Sequence, residues 1–286
     1  MKYSIVIPTY NNIEYLKLLI KSIIENSIFK HEIIVHVNDG SDGTLYFIKK
    51  NKIKYTHSKN NIGLCRSVNL SSQLVTTNYI LYAHDDMYFC KNWDYFLDLE
   101  LKKYKNNLFY ISGTNVSSKN GLIDFNCGST PKNFDSKKFN NFCTYNKSSD
   151  LQGSHWAPHI IHISLWKKIA GFSEEFSPGD GSDPDLCMKL WNQKVRVFKS
   201  ISLFKVYHFG SKTVRNGKIK KNNGTKIFLL KWGFNPRFFR KFYLRGDGNI
   251  KYTAKLSEPV KNFTFLFYFC VNKIKFFYYK LISNDK

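Results

Sequence analysis

Two aspartates, Asp85 and Asp86, stand side by side in "ILYAHDDMYF", and no lysine or arginine in the run neutralises them. Adjacent carboxylates repel, so something must hold them together. A divalent cation does this most cheaply. Hard oxygen donors suit Mg2+ or Mn2+, which take one or two protein carboxylates and leave room for phosphate oxygens. The plainer account is a solvated loop whose aspartates cap the next helix. A second cluster, "NDGSDGT", sets Asp39 before a Gly-Ser turn, where its carboxylate can accept the ring N–H of a pyrimidine. An ordinary Asp-Gly turn explains the same residues. The third, "GDGSDPDLCMKLW", begins in a glycine-rich loop. Ser182 or Asp183 can cap a helix there, with Pro184 in its first turn and Asp185 at the positive end of the dipole. The same placement would hold Asp183 as a general base.

The elements that must position these residues alternate in type. "YSIVI" reads as a buried strand ended by Pro8, and "NNIEYLKLLIKSIIENS" as an amphipathic helix capped by Asn11 or Asn12. "EIIVHV", "IKYTHS", "NYILYA" and "LFYISGT" give further strands, with helices in "TLYFIKKN", "NNIGLCRSVNLSSQLV" and "NWDYFLDLELKKY". This alternation predicts an α/β fold, a Rossmann-like and mostly parallel sheet with helices on both faces. Ligands bind such sheets beyond the carboxyl ends of the strands. "PTYNN", "NDGSDGT" and "HDDM" lie at those ends and should converge in space. Residues 115–152 lack periodicity and read as an irregular insertion. After them, "DPDLCMKLWNQ" reads as a helix, and "VRVF" and "SLFKVYHF" as two strands. "GSHWAPHIIHI" sets His155 and Trp156 among apolar residues. An indole face can serve as a flat binding platform, but the apolar neighbours favour a core role for Trp156.

The 286 residues, 43% of them hydrophobic, suffice for a large domain with an appendage. "MKYSIVIPTYNN" reads as a first strand rather than a signal peptide. Six cysteines form no CxxC pair, which indicates neither a zinc site nor a disulfide framework. No uncharged apolar stretch matches a membrane span, so the expectation is a cytoplasmic protein. The net charge of +23 is uneven: residues 212–286 hold 18 Lys and Arg against three acidic residues. A domain of residues 1–211 with a basic, aromatic and mainly helical extension at 212–286 is expected. The partner of that extension should be anionic. On a helical wheel of "VKNFTFLFYFCVNKIKFFYYKLI", Lys261, Asn262, Asn272, Lys273, Lys275 and Lys280 share about half the circumference. That fits a helix peripheral on the inner face of a membrane, lysines toward headgroups. A helix packed on the first domain or on a partner chain is the alternative.

"SIVIPTYNN", "NDGSDGT", "NIGLCRSVN", "YAHDDM", "GFSEEF" with "GSDPDL", and "YHFGS" occur in one order. In that order the chain resembles family 2 glycosyltransferases of the GT-A fold, over roughly residues 3–212. The resemblance implies a nucleotide-diphosphate sugar donor, with UDP favoured, and Mn2+ or Mg2+ as cofactor. By it, Pro8, Thr9 and Tyr10 flank the nucleotide and Asp39 contacts the base. Asn61, Gly63 and Arg66 line the nucleotide and diphosphate, and Asp85 lies beside them. Asp86 and His208 reach the metal, and Asp183 is the catalytic base. Three positions depart from the family pattern: Asn38, Ala83 and Ser182 each stand where relatives carry an acid. His155, Trp156 and Asp185 are candidate acceptor contacts.

One base and one cation imply a single displacement with inversion at the anomeric carbon. The expected acceptor is a hydroxyl of a glycan or lipid-linked molecule in cell-surface polysaccharide synthesis. A GT-A module that binds sugar nucleotides or glycans without turnover is a second reading. A basic nucleic-acid-binding protein is a third, but no DNA- or RNA-binding motif is present and no nucleic acid partner is expected. Nucleotidyl transfer would want a Gly-rich, basic loop after the first strand, and "PTYNNIEY" does not supply it.

Overall fold

Four parallel strands and their connecting helices follow the alternation read from the sequence. The computed structural model describes residues 1–210, 222–246 and 250–284. β1 (Ser4–Tyr10), β2 (Glu32–Asn38), β3 (Lys54–Ser58) and β4 (Tyr79–Tyr82) pair in the order β3-β2-β1-β4. α1 (Ile13–Asn26), α2 (Thr44–Lys50) and α3 (Leu64–Ser72) lie between them in sequence. β1 therefore has β2 on one side and β4 on the other. That is a switch point, where a cleft opens beyond the strand ends. Ile5, Val6, Ile7, Ile34, Val35 and Val37 are fully buried, as expected of strands covered on both faces.

β1 does not stop at Pro8. The Val6 carbonyl faces β4 and accepts from Ala83 N at 3.1 Å, so by strand alternation the Pro8 nitrogen faces the same side. The β1–β4 pairing ends at Val6, while pairing to β2 continues to Tyr10. The missing N–H of Pro8 therefore costs no ladder bond. The start of α1 also differs from expectation. Asn12 holds the cap position without a side-chain bond, and Asp42 Oδ2 accepts from Ile13 N at 2.9 Å instead.

The sheet continues from β4 through β9 (His159–His162), β6 (Phe109–Ser117), β10 (Val197–His208) and β5 (Met87–Phe89). β9 is antiparallel to β4 and β6, and β5 is antiparallel to β10. β10 is one long strand where the sequence suggested two, because a register shift between Ile201 and Lys205 absorbs the break without ending the pairing to β6. α4 (Trp93–Leu101) follows β5. Residues 115–152 are more regular than their composition suggests. They hold β7 (Ile123–Asp124), a 3-10 turn at Pro131–Asn133, α5 (Ser136–Tyr145) and β8 (Leu151–Gln152). Asp135 caps α5 by accepting from Lys138 N at 2.8 Å, and Phe139 is its one buried residue. So narrow an apolar face leaves little periodicity to read.

The C-terminal part comprises a helix at Gly224–Trp232, a helical segment Pro236–Phe238 that continues as π-helical turns over Phe239–Leu244, and a terminal helix Phe263–Asn284. Phe228, Phe234, Phe238 and Phe239 belong to the same apolar core as the sheet. Ser211, the last residue of "YHFGS", and the expected boundary at 211/212 lie outside the described residues.

Candidate active site

At the end of β2 the chain turns through Asp39 in a left-handed conformation (φ 61°). Asp39 Oδ2 accepts from Asn11 Nδ2 at 2.7 Å and from Ser41 Oγ at 3.1 Å, while Asn11 Oδ1 accepts from Gly40 N at 2.9 Å. Asn11 is thus spent on aiming the aspartate rather than capping α1. The Asn11 amide, foremost, holds the Asp39 carboxyl below its usual range. Both side-chain bonds go to Oδ2, and the carboxylate, which the Ser41 backbone also supports, is partly exposed at the rim, where it can accept a further donor such as a base N–H. Asn38, one of the three positions that depart from the resemblance, is buried. Its Nδ2 donates to Thr9 O and Ser67 Oγ, and its Oδ1 accepts from Ile62 N at 2.9 Å. It cross-links β1, β2 and the loop before α3. In that loop Asn61 Oδ1 accepts from Gly63 N at 2.9 Å, and Gly63 has φ 81°. Pro8 and Tyr10 are partly exposed at the rim and Arg66 is exposed.

β5 is short, and its pairing with β10 sets His208 opposite Met87. His208 Nε2 therefore lies 3.2 Å from Asp86 Oδ1. His84 joins them: His84, Asp86 and His208 each offer a donor atom, and the three atoms lie within 4.8 Å of one another. Two imidazole nitrogens and one carboxylate oxygen at one point fit a divalent first-row ion. His84 was not among the sequence candidates. The missing acid was placed at Ala83, which is fully buried. The signal was present all the same, since His84 adjoins the Asp85–Asp86 pair in the turn between β4 and β5. Burial, then the neighbouring His208, push the His84 imidazole down to about 4, leaving it in the neutral form that ligates metals. Asp85 turns the other way, and Thr9 Oγ1 donates to its Oδ2 at 2.7 Å. Burial and the Asp86 charge raise the Asp85 carboxyl, and Thr9 and Asn12 oppose that rise.

Asp183 sits in the first turn of α7 (Ser182–Asn192). Neither it nor Ser182 is the cap. That position is Gly181 (φ 85°), and the Ser182 hydroxyl donates back to Gly179 O at 2.7 Å. The Asp183 side chain makes no hydrogen bond or ion pair among the described residues. Burial pushes its carboxyl up to about 7. The charges of Asp183, Asp85 and Asp86 all act on the Tyr82 hydroxyl at the end of β4. The three carboxylates therefore lie within electrostatic reach of one buried side chain, whose Oη has no hydrogen-bond partner among the described residues. The loop before Asp183 is braced from two sides. Leu64 N donates to Pro178 O at 3.2 Å, and a Cβ on Gly63 would come within 3.0 Å of Ser177. Opposite, Gly224 N donates to Asp180 Oδ2 at 3.1 Å, and a Cβ on Gly224 would approach Asp180 O to 2.1 Å.

His155 and Trp156 precede β9, whose His159 pairs with Tyr82. They therefore flank β4 on the side away from β1 and β2. The Trp156 indole N–H donates to Gly113 O at 3.0 Å and its ring stays partly exposed. His155 Nδ1 lies 2.9 Å from Gly153 O. Asp185 does not belong with them. It is fully buried, accepts from Ser173 Oγ at 2.6 Å and Trp232 Nε1 at 2.8 Å, and pairs with Lys231 at 3.0 Å. Asp185 lies two residues beyond Asp183, about 200° round α7, so it faces away from Asp183 and is spent on these partners rather than on an acceptor. It locks the helix Gly224–Trp232 onto α7 instead.

The profile of Glycosyl transferase family 2 matches residues 4–157, more than half of the chain. This chain belongs to glycosyltransferase family 2. An uncharacterized glycosyltransferase of Rickettsia bellii (strain RML369-C) is 35% identical over 118 residues, 40% of this chain and 16% of that protein. Among solved structures, S. aureus TarS 1–349 in complex with UDP superposes with a TM-score of 0.55 at 16% identity, over 72% of this chain and 60% of that chain. GalNAc-T7 with UDP, GalNAc and Mn2+ gives 0.56 at 14% identity, over 78% and 45%. The chain thus spans less than two thirds of each of these relatives. The structural neighbours establish the GT-A fold, with its mostly parallel sheet between helices.

Proposed function

We propose that this family member is a metal-dependent inverting glycosyltransferase that moves a sugar from a UDP-sugar to an acceptor hydroxyl. The reading rests on one observation: Asp183, unpaired and raised to about 7, shares the surroundings of Tyr82 with Asp85 and Asp86. A carboxylate poised near neutrality suits proton abstraction from a hydroxyl. His84, Asp86 and His208 would hold the cation. When bound, the cation supplies positive charge beside the diphosphate leaving group. With two imidazoles and one carboxylate, the donor set favours Mn2+ over Mg2+.

The division of labour follows the sheet order. The Asp39 carboxylate accepts the N3–H of uracil, and Thr9 keeps Asp85 turned toward the nucleotide side. The loop at Asn61–Gly63 approaches the diphosphate. Across β4, Asp183 takes the acceptor proton as the hydroxyl attacks, while His155 and the exposed part of Trp156 face the acceptor. One base and one attack invert the anomeric centre. The acceptor class is a glycan or lipid-linked hydroxyl of a cell-surface polysaccharide pathway. A panel of UDP-, GDP- and dTDP-sugars, assayed with Mn2+ for release of nucleoside diphosphate, tests the donor. UDP release fastest from one UDP-sugar supports the reading, and turnover of none refutes it.

A further inference from the structure

The terminal helix Phe263–Asn284 carries two stripes. Phe265, Phe269, Asn272, Phe276 and Tyr279 recur at alternating steps of four and three residues and are the inward set. Phe265 packs on Phe238 and Phe242, with ring centroids 5.0 and 5.2 Å apart. Asn272 Oδ1 accepts from Asn235 N at 2.8 Å. On the opposite side Phe263, Phe267, Cys270, Ile274, Phe277 and Leu281 recur at the same steps, and all are exposed. Phe263 is 84%, Ile274 71% and Leu281 68% exposed. At 1.5 Å rise per residue this outer stripe runs for about 27 Å. The wheel drawn from sequence set Asn272 with the lysines toward headgroups. In the structure Asn272 is buried against the protein, and the face left open is aromatic and aliphatic.

The chemistry of that face selects its occupant. Lys275 and Lys280 are exposed on either flank of the stripe, and no Asp or Glu occurs from Val260 to Asn284. A second copy would set lysine rows against lysine rows with no acid to answer them, on chains of net charge +23. An anionic bilayer answers both features: hydrocarbon for the stripe and phosphates for the flanking lysines. No described helix is long and apolar enough to cross a membrane. We propose that the outer stripe of this helix lies flat in the surface of an anionic lipid bilayer. This goes beyond the glycosyl-transfer reading and stands without it.

The test is flotation of the full chain with vesicles of phosphatidylcholine alone or mixed with phosphatidylglycerol. Truncation at residue 212 is unsuitable, because Trp232 and Lys231 hold buried Asp185. The variant Phe267→Glu/Ile274→Glu/Phe277→Glu alters only outward positions, and Lys275→Gln/Lys280→Gln leaves the stripe intact. Wild type should float with mixed vesicles and lose that recovery as salt rises. Recovery should fall at least about ten-fold on phosphatidylcholine and for the triple variant, and by a smaller factor for the lysine pair, with thermal midpoints unchanged. Equal flotation of all forms, or no recovery on mixed vesicles, overturns the proposal. So does a concentration-dependent dimer that the triple variant abolishes, since a second copy would then be the occupant.

Discussion

His208 Nε2 lies 3.2 Å from Asp86 Oδ1 although the two residues are far apart in the chain. The antiparallel pairing of β5 with β10 makes the contact, and it completes the donor set with His84. His84→Ala should therefore weaken Mn2+ binding by about ten-fold or more, and His208→Ala likewise. Titration of Mn2+ by electron paramagnetic resonance reads this without any substrate. Wild-type protein should also prefer Mn2+ to Mg2+, and Asp86→Asn should lose both.

Asp39 is aimed by Asn11, which donates to its Oδ2. Asp39→Asn should weaken UDP binding by about ten-fold, since the amide keeps an acceptor but loses its charge. Asn11→Ala should do the same to a smaller degree. Calorimetric titration with UDP against CDP separates base recognition from phosphate binding, because the loss should be confined to UDP.

The Asp183 carboxyl is raised by burial from the ordinary value near 3.8 to about 7. Transfer requires the ionised form, so kcat/KM should climb with pH and level off above about 7. The effect on stability has the opposite sign. A group whose folded pKa is raised favours its protonated form in the fold, so the stability it contributes is present at low pH and lost as pH rises toward 7. Asp183→Asn should thus unfold at a higher temperature than wild type at pH 8 and match it at pH 4.

Much of this was legible from sequence because local chemistry and long-range packing agree there. Buried parallel strands are apolar runs, and turn residues such as Asn11 and Asp39 mark where they end. What escaped depended on partners distant in sequence. Pro8 sits inside β1 only because β4 has already left that edge. His84 becomes a candidate ligand only because β10 delivers His208. Asp185 reads as a helix-start acid, yet Trp232 and Lys231 claim it from the helix Gly224–Trp232. α5 escaped because its buried face is a single phenylalanine.

The Asp185 contact gives a structural control. Trp232→Phe removes one hydrogen bond to a buried carboxylate and should destabilise the protein by about 1–3 kcal/mol. UDP affinity should stay unchanged, because Asp185 faces away from the rim. Urea unfolding and UDP titration of the same variant check both halves.

The central claim is that Asp183 acts on the acceptor at the rim where the donor and cation are held. Transfer and UDP-sugar binding by Asp183→Asn, measured side by side with Mn2+, test it most directly. The account predicts UDP-sugar affinity within about two-fold of wild type and kcat reduced by about a thousand-fold. Turnover at the wild-type rate would contradict it.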